Sequence, residues 1–500
     1  MSRFTCIEGA TLLTLDAGGR VLEPGDLWIE GARIVHVGPV GSFTPPDNAE
    51  VRRLDGRNRV VMPGFANCHT HSYAGLLKGT VDTIPLDVFM VNAIIGAGAR
   101  TPREVYVSAM VGCLEMLLTG TTSCLDHFSH RPRHDAEALD AVCQAYADAG
   151  IRAAVAPMFS DLPFVETVPL LNAEMPAALR DLLPATPQPH DPYFSMLEAG
   201  LERWRDHATV QVMLGIDGPQ RCSHALLERA GAFAASNELG NHTHLLEAKT
   251  QWAMAEGRDS RGFVAYLADL GLAGPKSSFA HFVWFTDGDL EAAAASGVNV
   301  VHNPASNLII GSGIQPLLRL VDAGVPVAFG SDGLNAGHMS MFEKTRLAAL
   351  LHRVTEPDSC RWLKAAPLLR MATVNGGRVL GHGGELGELK DGGLADLVVL
   401  DGNSLALSPR GKLETQLLFY EHGSSVREVF VHGEQVVADG RPTRFDADAI
   451  LAEARELAAR LASESTEGLE RALALHPGLR AMTTRVLRDG CGPCRLAALA

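Results

Sequence analysis

The middle of the chain repeats one pattern of hydrophobic and polar positions. An amphipathic helix is followed by a glycine and then by a short apolar strand, as in YADAG–IRAAVAP, AAASG–VNVVHNP and VDAG–VPVAFGSDG. The glycine can end each helix in a left-handed conformation. The clearest helix lies within residues 101–120, because Thr101, Pro102 and Glu104 have the spacing of a capping box with proline in the first turn. The pattern predicts alternating helices and strands.

Eight short apolar runs in this region are rich in Val, Ile and Ala without strict alternation, which is typical of strands buried on both faces. Eight strands with intervening helices predict an α/β fold, a (β/α)8 TIM-type barrel. A doubly wound open sheet is the structural alternative. The predicted strands are residues 65–68, 123–126, 151–156, 210–216, 241–245, 278–283, 299–302 and 326–329.

Both flanks of this region carry short strand-like pieces with turn glycines. Residues 1–62 contain ATLLTLD and LWIEGARIVHVG, and residues 388–445 contain ADLVVLDG and VREVFVHGEQVVADGR. Each flank is too small for a good core of its own, so we expect the two to form one composite β-sandwich domain. The barrel would then span residues 63–387, and residues 446–500 would form a helical C-terminal extension.

The composition excludes several classes of function. Among 500 residues, 43 Lys and Arg against 58 Asp and Glu give a net charge of −15, which argues against nucleic acid or an anionic membrane as a partner. No apolar stretch approaches the roughly 18–20 residues of a membrane helix. The beginning of the chain has no signal-peptide h-region. Nine scattered cysteines indicate reduced thiols and predict a cytoplasmic location.

Cys491 and Cys494, in the string CGPC, have the spacing of a dithiol redox site. They lie in the last ten residues, without the strand and helix that surround such sites. A packed or mobile tail is therefore favoured over redox chemistry.

Polar side chains lie at the carboxyl ends of four predicted strands. In a parallel barrel these ends open on one face, so the side chains would converge there. His69 and His71 are two residues apart in an extended segment, so both could bind one ion. Each signal alone is weak, and their joint placement favours a site. The residues are His69 and His71 after the first strand, His244 and Glu247 at the fifth, His281 in the sixth and Asp332 after the eighth.

Several strings together resemble the amidohydrolase superfamily. They are PGFANCHTHSYAGLLKG, HTHLLEAKTQ, LADLVVLDG and the segment from AHFVWF to HMSMFE, which contains HNPASN. The nearest branch holds the s-triazine chlorohydrolases and the guanine, 8-oxoguanine and S-adenosylhomocysteine deaminases. The resemblance extends to about Asp446. It implies a metal-bearing barrel with a composite β-sandwich, and hydrolysis at an sp² carbon of a nitrogen heterocycle.

The resemblance also implies roles for the converging residues. Glu247 would shuttle a proton, His281 would orient and help deprotonate the attacking water, and Asp332 would accept a hydrogen bond from it. Dinuclear relatives carry a carboxylated lysine at the fourth strand, and QVMLGIDGPQRCS contains none, so one metal ion is expected. Nitrogen and oxygen ligands suit Zn²⁺, with Fe²⁺ as an alternative. The implied ligands are His69, His71, His244 and Asp332.

Polar residues in the loops at the same face are candidates for substrate binding, since barrels recognise substrates there. For His130, Asn335 and His338 a structural role is favoured. The candidate substrate-binding residues are His127, Gln220, Trp284, His302 and Asn307.

The main hypothesis is a metal-dependent aminohydrolase, a cyclic amidine deaminase, because Glu247 provides the proton donor that expulsion of ammonia needs. An alternative keeps the site but performs hydrolytic dechlorination, N-dealkylation or amide or urea-type C–N cleavage. A third hypothesis is a catalytically inactive barrel scaffold. The expected partner is a small heterocyclic substrate, and the resemblance together with the C-terminal helix indicates a homo-oligomer.

Overall fold

The computed structural model describes residues 3–96, 98–130, 134–170 and 175–489, and Cys491 and Cys494 lie outside these ranges. The strands are β1 (Arg3–Leu13), β2 (Val21–Glu30), β3 (Arg33–Pro39), β4 (Glu50–Asp55), β5 (Arg59–Pro63), β6 (Phe65–Thr70), β7 (Thr121–Asp126), β8 (Arg152–Val155), β9 (Val210–Val212), β10 (Leu214–Ile216), β11 (Asn241–Leu245), β12 (Ser278–His281), β13 (Asn299–His302), β14 (Val327–Phe329), β15 (Leu397–Asp401), β16 (Val426–Val431), β17 (Glu434–Ala438) and β18 (Arg441–Pro442).

The helices, numbered in chain order, alternate with the strands through the middle of the chain. None of the helices in the described ranges combines the length and the apolarity needed to cross a membrane. The helices are α1 (Leu86–Val91), α2 (Pro102–Leu118), α3 (Ala136–Ala149), α4 (Ala177–Arg180), α5 (Asp191–Trp204), α6 (His224–Ser236), α7 (Lys249–Ala255), α8 (Phe263–Asp269), α9 (Asp287–Ser296), α10 (Pro304–Ile309), α11 (Leu317–Asp322), α12 (Met341–Thr355), α13 (Ala365–Ala372), α14 (Val374–Val379), α15 (Leu413–Phe419), α16 (Ala447–Glu464), α17 (Thr466–Leu473) and α18 (His476–Arg488).

The helix signals in the sequence correspond to real caps. The Thr101 side chain accepts from the backbone N–H of Glu104, and the Glu104 carboxylate accepts from the Thr101 N–H at 2.6 Å, so the predicted capping box is confirmed. Gly150 ends α3 with a φ of 74°, and Gly297 ends α9 with a φ of 70°. A left-handed residue in these positions favours glycine, which explains the repeated helix–glycine–strand pattern.

All eight predicted strands are confirmed, and they form two parallel sheets with the orders β6-β7-β8-β9 and β10-β11-β12-β13-β14. The predicted strand at residues 210–216 is divided at Met213, where the pairing changes from β8 to β11. Strand order follows chain order in both sheets. A doubly wound sheet reverses its order at a switch point, and neither parallel sheet does so within the described residues.

The two edges at β14 and β6 are close together. The backbone N–H groups of Ser331 and Asp332, just after β14, donate to the carbonyl oxygen of His69 in β6 at 3.1 and 2.9 Å. These bonds bring the carboxyl ends of the first and last parallel strands into direct contact.

Strands from both ends of the chain form one nine-stranded sheet. Its order is β18-β17-β16-β15-β5-β1-β2-β3, with β4 paired to β1, and the antiparallel pair β15–β5 joins the two ends. Apolar side chains from both ends share one buried cluster that includes Ile7, Val61 and Leu397. A buried ion pair of Arg152 in β8 with Asp396, at 2.9 Å, links this sheet to the parallel strands.

Candidate metal centre and active site

A cavity of about 340 Å³ opens at the carboxyl ends of the parallel strands. Its lining contains most of the polar residues that the sequence predicts to converge, because each follows or ends one of these strands. His69 lies directly behind them and is fully buried. The predicted residues in the lining are His71, His244, Glu247, His281 and Asp332.

His71 and His244 present their Nε2 atoms to each other at 3.2 Å. The Nδ1 atom of His71 lies 2.7 Å from the carbonyl oxygen of His127, and that of His244 lies 2.5 Å from the carbonyl oxygen of Asp217. A carbonyl oxygen only accepts, so each Nδ1 carries a proton, and in the neutral form of either ring Nε2 is a lone pair. Two facing lone pairs repel unless a cation lies among them.

His69 is oriented by a chain of buried polar groups. Its Nδ1 atom lies 2.8 Å from Nε2 of His242, and Nδ1 of His242 lies 2.7 Å from Oγ of Ser278. The Nε2 atom of His69 is buried with no hydrogen-bond partner among the described residues. Burial and the neighbouring His71 hold the pKa of His69 well below its usual range, so its ring is neutral.

His281 has the same orientation toward the cluster. Its Nδ1 atom lies 2.8 Å from Oδ1 of Asn307, and its buried Nε2 has no hydrogen-bond partner within the described ranges. Gln315 donates to the His281 carbonyl oxygen at 2.5 Å. The ring is therefore held with a bare nitrogen toward Asp332, whose Oδ2 lies 3.8 Å away.

Asp332 lies between the histidines. Its Oδ1 is 3.2 Å from Nε2 of His71 and accepts from the Gly333 N–H at 2.7 Å, while Oδ2 accepts from Ser306 Oγ at 2.5 Å. Burial alone would raise the pKa of Asp332, but the hydrogen bond and charge of protonated His71, the charge of protonated His281 and the Ser306 hydroxyl outweigh it and hold the pKa well below its usual range. The carboxylate is ionised.

The arrangement fits a divalent metal ion. A single proton could relieve one close pair of atoms, but several bare Nε2 atoms and a carboxylate converge here, and buried polar atoms normally have partners. Three groups have ligand atoms within 4.8 Å of one another, namely His69, His71 and His244; His69, His281 and Asp332; and His69, His127 and His242. In the last group Nδ1 of His69 and Nε2 of His242 already face each other at 2.8 Å. Imidazole nitrogen with one carboxylate oxygen is a donor set that zinc and related ions accept.

Two of these residues have strained backbones. His281 has a φ of 72° and Asp332 has a φ of 63°, in a region that non-glycine residues seldom adopt. Such conformations cost about 1–3 kcal/mol each and cluster at functional sites. The strain aims both side chains at the cluster.

Glu247 lines the same cavity and is 3% exposed. Gln251, one turn later, donates to its carboxylate Oε2 at 3.2 Å and accepts from its backbone N–H at 2.9 Å. The other carboxylate oxygen of Glu247, Oε1, lies 3.6 Å from Nδ1 of His281. A carboxyl group held beside the histidine cluster and open to the cavity can exchange a proton with a bound molecule.

Of the five candidate substrate-binding residues, only Gln220 lines this cavity. Its buried Oε1 has no hydrogen-bond partner in the part of the chain that is described, so it can accept from a ligand. Asn307 instead orients His281, and the indole N–H of Trp284 donates to the carbonyl oxygen of Ser312 at 2.7 Å.

His127 and His302 are fully buried and lie outside the cavity lining. The His127 ring packs against His244 with centroids 4.6 Å apart, and burial lowers the pKa of His302 to about 3. None of His127, Trp284, His302 and Asn307 borders the cavity, so the geometry does not support direct substrate contact for these four residues. His130 and Asn335 do line the cavity, although the sequence favours structural roles for them.

His242 is the principal residue that the sequence reasoning misses. It lies in the string HTHLLE, two residues before His244, so both side chains point to the same face of β11. That spacing was available as a signal, but it does not reveal that His242 pairs with His69 rather than with a ligand ion. Ser306 and Gln251 were missed for the same reason, since each acts on another side chain.

We expect His242→Ala to weaken metal binding by about 10–100-fold, because loss of a partner that orients a metal ligand has effects of this size. The measurement is a competition titration of the metal-loaded protein with a chelator. His224→Ala is a matched control, since His224 is exposed on α6 and pairs only with Tyr266 among the contacts seen. Equal metal affinity in the two variants would contradict a positioning role for His242.

A family model described as the amidohydrolase family matches residues 60–436. The chain belongs to the amidohydrolase family. The match covers the parallel strands and the histidine cluster, together with the strands of the end sheet that flank them. The resemblance inferred from the sequence motifs is confirmed.

Individual amidohydrolases match over most of their length. The chain is 32% identical over 451 residues, 89% of this chain and 96% of the relative, to the 5-methylthioadenosine/S-adenosylhomocysteine deaminase of Syntrophobacter fumaroxidans. The solved structure of an adenosine deaminase from Xanthomonas campestris with bound zinc has a TM-score of 0.81 and 26% identity, covering 92% of this chain and 98% of that one. Atrazine chlorohydrolase from Arthrobacter aurescens TC1 complexed with zinc has a TM-score of 0.77 and 26% identity, covering 91% and 100%.

Proposed function

We propose that this amidohydrolase is a metal-dependent aminohydrolase that releases ammonia from an amino-substituted nitrogen heterocycle of the adenosine type. The observation that carries the proposal is the convergence of four imidazoles and the ionised Asp332 on a cavity that Glu247 also lines. The names of the deaminase relatives support the substrate class.

We also propose the architecture in which this site is held. The chain-ordered parallel strands and the bonds from Ser331 and Asp332 to His69 support one (β/α)8 barrel over residues 63–387. The shared sheet of the two ends supports a composite β-sandwich domain from residues 1–62 and 388–445, with residues 446–500 as a helical extension. Cysteines within the described ranges are free thiols; a cytoplasmic location and a homo-oligomer stay predictions.

The proposed ligands of one divalent ion are His69, His71, His244 and Asp332, and the zinc in two solved neighbours favours Zn²⁺ over Fe²⁺. A divalent ion bound there lowers the pKa of water from about 15.7 to about 7 and so supplies hydroxide at neutral pH. The protein contributes orientation, since backbone carbonyls and His242 fix which nitrogen of each ring faces the centre.

The proton-transfer roles follow from position. Nε2 of His281 and Oδ2 of Asp332 lie 3.8 Å apart and can hold the attacking water between them, with Ser306 fixing the carboxylate. Glu247 would take a proton from the attacking water, pass it to the ring nitrogen next to the attacked carbon, and then carry the second proton of that water to the departing amino group, which leaves as ammonia. Gln220, with its unpartnered Oε1, is the proposed contact to a substrate N–H group.

A second candidate function keeps this site and changes the leaving group. The structural similarity to a zinc-containing atrazine chlorohydrolase favours including chloride, and an alkylamine or a carbamoyl fragment would use the same residues. The third hypothesis, an inactive scaffold, requires that the converging residues catalyse nothing.

The test is a panel of adenosine, methylthioadenosine, guanine, melamine and atrazine with the metal-loaded protein. We expect ammonia release from at least one aminated ring. The mass of the product should differ from that of the substrate by the replacement of one NH by one oxygen. Chloride or alkylamine release without ammonia would select the second candidate. No product from any compound would contradict the proposed function.

A further inference from the structure

The cavity lining away from the histidine cluster is mainly aliphatic and aromatic. Its apolar side chains come largely from the segment that follows β6 along the chain, and they include Leu77, Val81, Phe89 and Ile94. A molecule whose reacting carbon lies at the histidines must place its remaining atoms against these side chains. The chemistry of this part of the lining therefore bears on which substituent a substrate can carry.

The helical C-terminal extension supplies another part of the same lining. Leu461 and Ala462 of α16, Ser465 at its end and Leu469 of α17 all border the cavity that contains His71 and Asp332. These helices lie beyond residue 436, where the family match ends. Residues far from the metal-binding motifs in sequence thus form a wall of the active-site cavity.

Polar contacts fasten this wall to the segments around the site. Arg103 at the start of α2 binds Glu453 of α16 through two hydrogen bonds of 2.8 and 2.5 Å. Arg460 of α16 pairs with the buried Glu104 of the α2 capping box. Farther along, Nε2 of His476 lies 2.8 Å from Oδ1 of Asn92, in the turn that carries Ile94. The wall is held in a defined position.

Two cationic side chains also line the cavity, and both are engaged within the chain. Arg221 pairs with Asp217 at 3.3 Å and contacts the sulfur of Met90, and Arg100 donates to the carbonyl oxygen of Tyr73 at 2.5 Å. A charged substituent entering the cavity would have to compete for these cations. An apolar substituent only displaces water from aliphatic surface, which is favourable.

We propose that α16 and α17 form a specificity wall, and that this wall selects substrates whose substituent remote from the reacting ring is apolar and uncharged. The inference rests on the proposed function, because it describes the same cavity. Leu469 is the specificity-determining residue that we assign to α17, and Leu461 is its buried counterpart on α16.

The experiment compares Leu469→Asp with Leu473→Asp in the metal-loaded, full-length protein. Leu469 is 40% exposed and Leu473 is 58% exposed on the same helix, so both substitutions are compatible with folding, but only Leu469 lines the cavity. The substrates are adenosine, methylthioadenosine and S-adenosylhomocysteine, which end in a hydroxyl, an apolar methylthio group and a zwitterion.

We expect the wild-type protein to turn over methylthioadenosine with the highest kcat/KM of the three. In Leu469→Asp that value should fall about tenfold or more through KM, since apolar contacts of a methyl-sized group discriminate by roughly 10–200-fold. The kcat value and metal content should stay unchanged, adenosine should be affected less, and Leu473→Asp should match the wild type.

Two results would overturn the inference. A wild-type preference for S-adenosylhomocysteine would show that the cavity recognises charge, and equal kinetics for the two leucine variants would show that α17 does not select. Either result leaves ammonia release, and so the proposed function, intact. Absence of ammonia from all three nucleosides would instead contradict the adenosine-type substrate class on which the inference depends.

Discussion

Replacing Glu247 by glutamine is expected to lower kcat by about 10²–10⁴-fold, the contribution typical of a positioned proton donor and acceptor. Glutamine keeps the size and the hydrogen bond to Gln251 but cannot release a proton to a ring nitrogen or to ammonia. Metal content should stay at the wild-type level, because Glu247 belongs to none of the three close ligand groups. The measurements are steady-state ammonia release and elemental analysis of the same samples.

Glu256→Gln is the matched control for this substitution, since Glu256 is exposed at the end of α7, nine residues later. It should behave as the wild type in both measurements. If Glu247→Gln retained full turnover of an aminated substrate, the assignment of the proton carrier would be wrong, whereas loss of metal in this variant would move Glu247 into the ligand set.

Replacing His244 by alanine is expected to remove most of the bound metal and to abolish turnover. His244 supplies one of the Nε2 atoms at the centre, 3.2 Å from that of His71, and alanine has no atom that can bind an ion there. A folded state that no longer binds the ion also loses the stabilisation of RT ln(1 + [L]/Kd), so the melting temperature should cease to depend on added zinc.

The control for this loss is again His224→Ala, an imidazole removed from the surface of α6. It should retain wild-type metal content and a zinc-dependent melting temperature. Metal content in His244→Ala equal to that of the control would place the ion elsewhere or assign His244 a purely structural role.

The sequence was sufficient to predict the convergence of His71, His244 and Asp332, because their positions follow from a simple rule. Parallel strands expose their carboxyl ends on one face, and each of these residues ends or follows an apolar run that forms a strand. The helix caps were equally local, as Thr101 and Glu104 show. Patterns of this kind depend on the local sequence and on the parallel arrangement of the strands.

The orientation of single side chains could not be predicted in the same way. His242 and His127 lie on or after parallel strands, yet both contact other histidines instead of the cavity. Trp284 follows β12 and Asn307 lies in the short helix α10 after β13, but each is engaged by a partner within the chain, Ser312 for Trp284 and His281 for Asn307. The level that a side chain occupies in the barrel region and the path of the segment after a strand both depend on contacts between distant parts of the chain.

The outer cavity was the least accessible part of the site to sequence reasoning. Leu461 and Leu469 lie more than 120 residues beyond Asp332, and their place in the lining results from the packing of α16 and α17 on segments near residues 72–96. The amphipathic pattern predicted helices there without indicating what they cover. Substrate selectivity is consequently the property for which the structure adds most.

Anomalous X-ray diffraction at the zinc edge, from crystals of the purified wild-type protein, tests the central claim most directly. We predict a single strong peak at about 2.0–2.2 Å from Nε2 of His69, His71 and His244 and from one carboxylate oxygen of Asp332. A protein that is folded and catalytically active but shows no peak at these atoms, after metal loading and at the other transition-metal edges as well, would contradict the account.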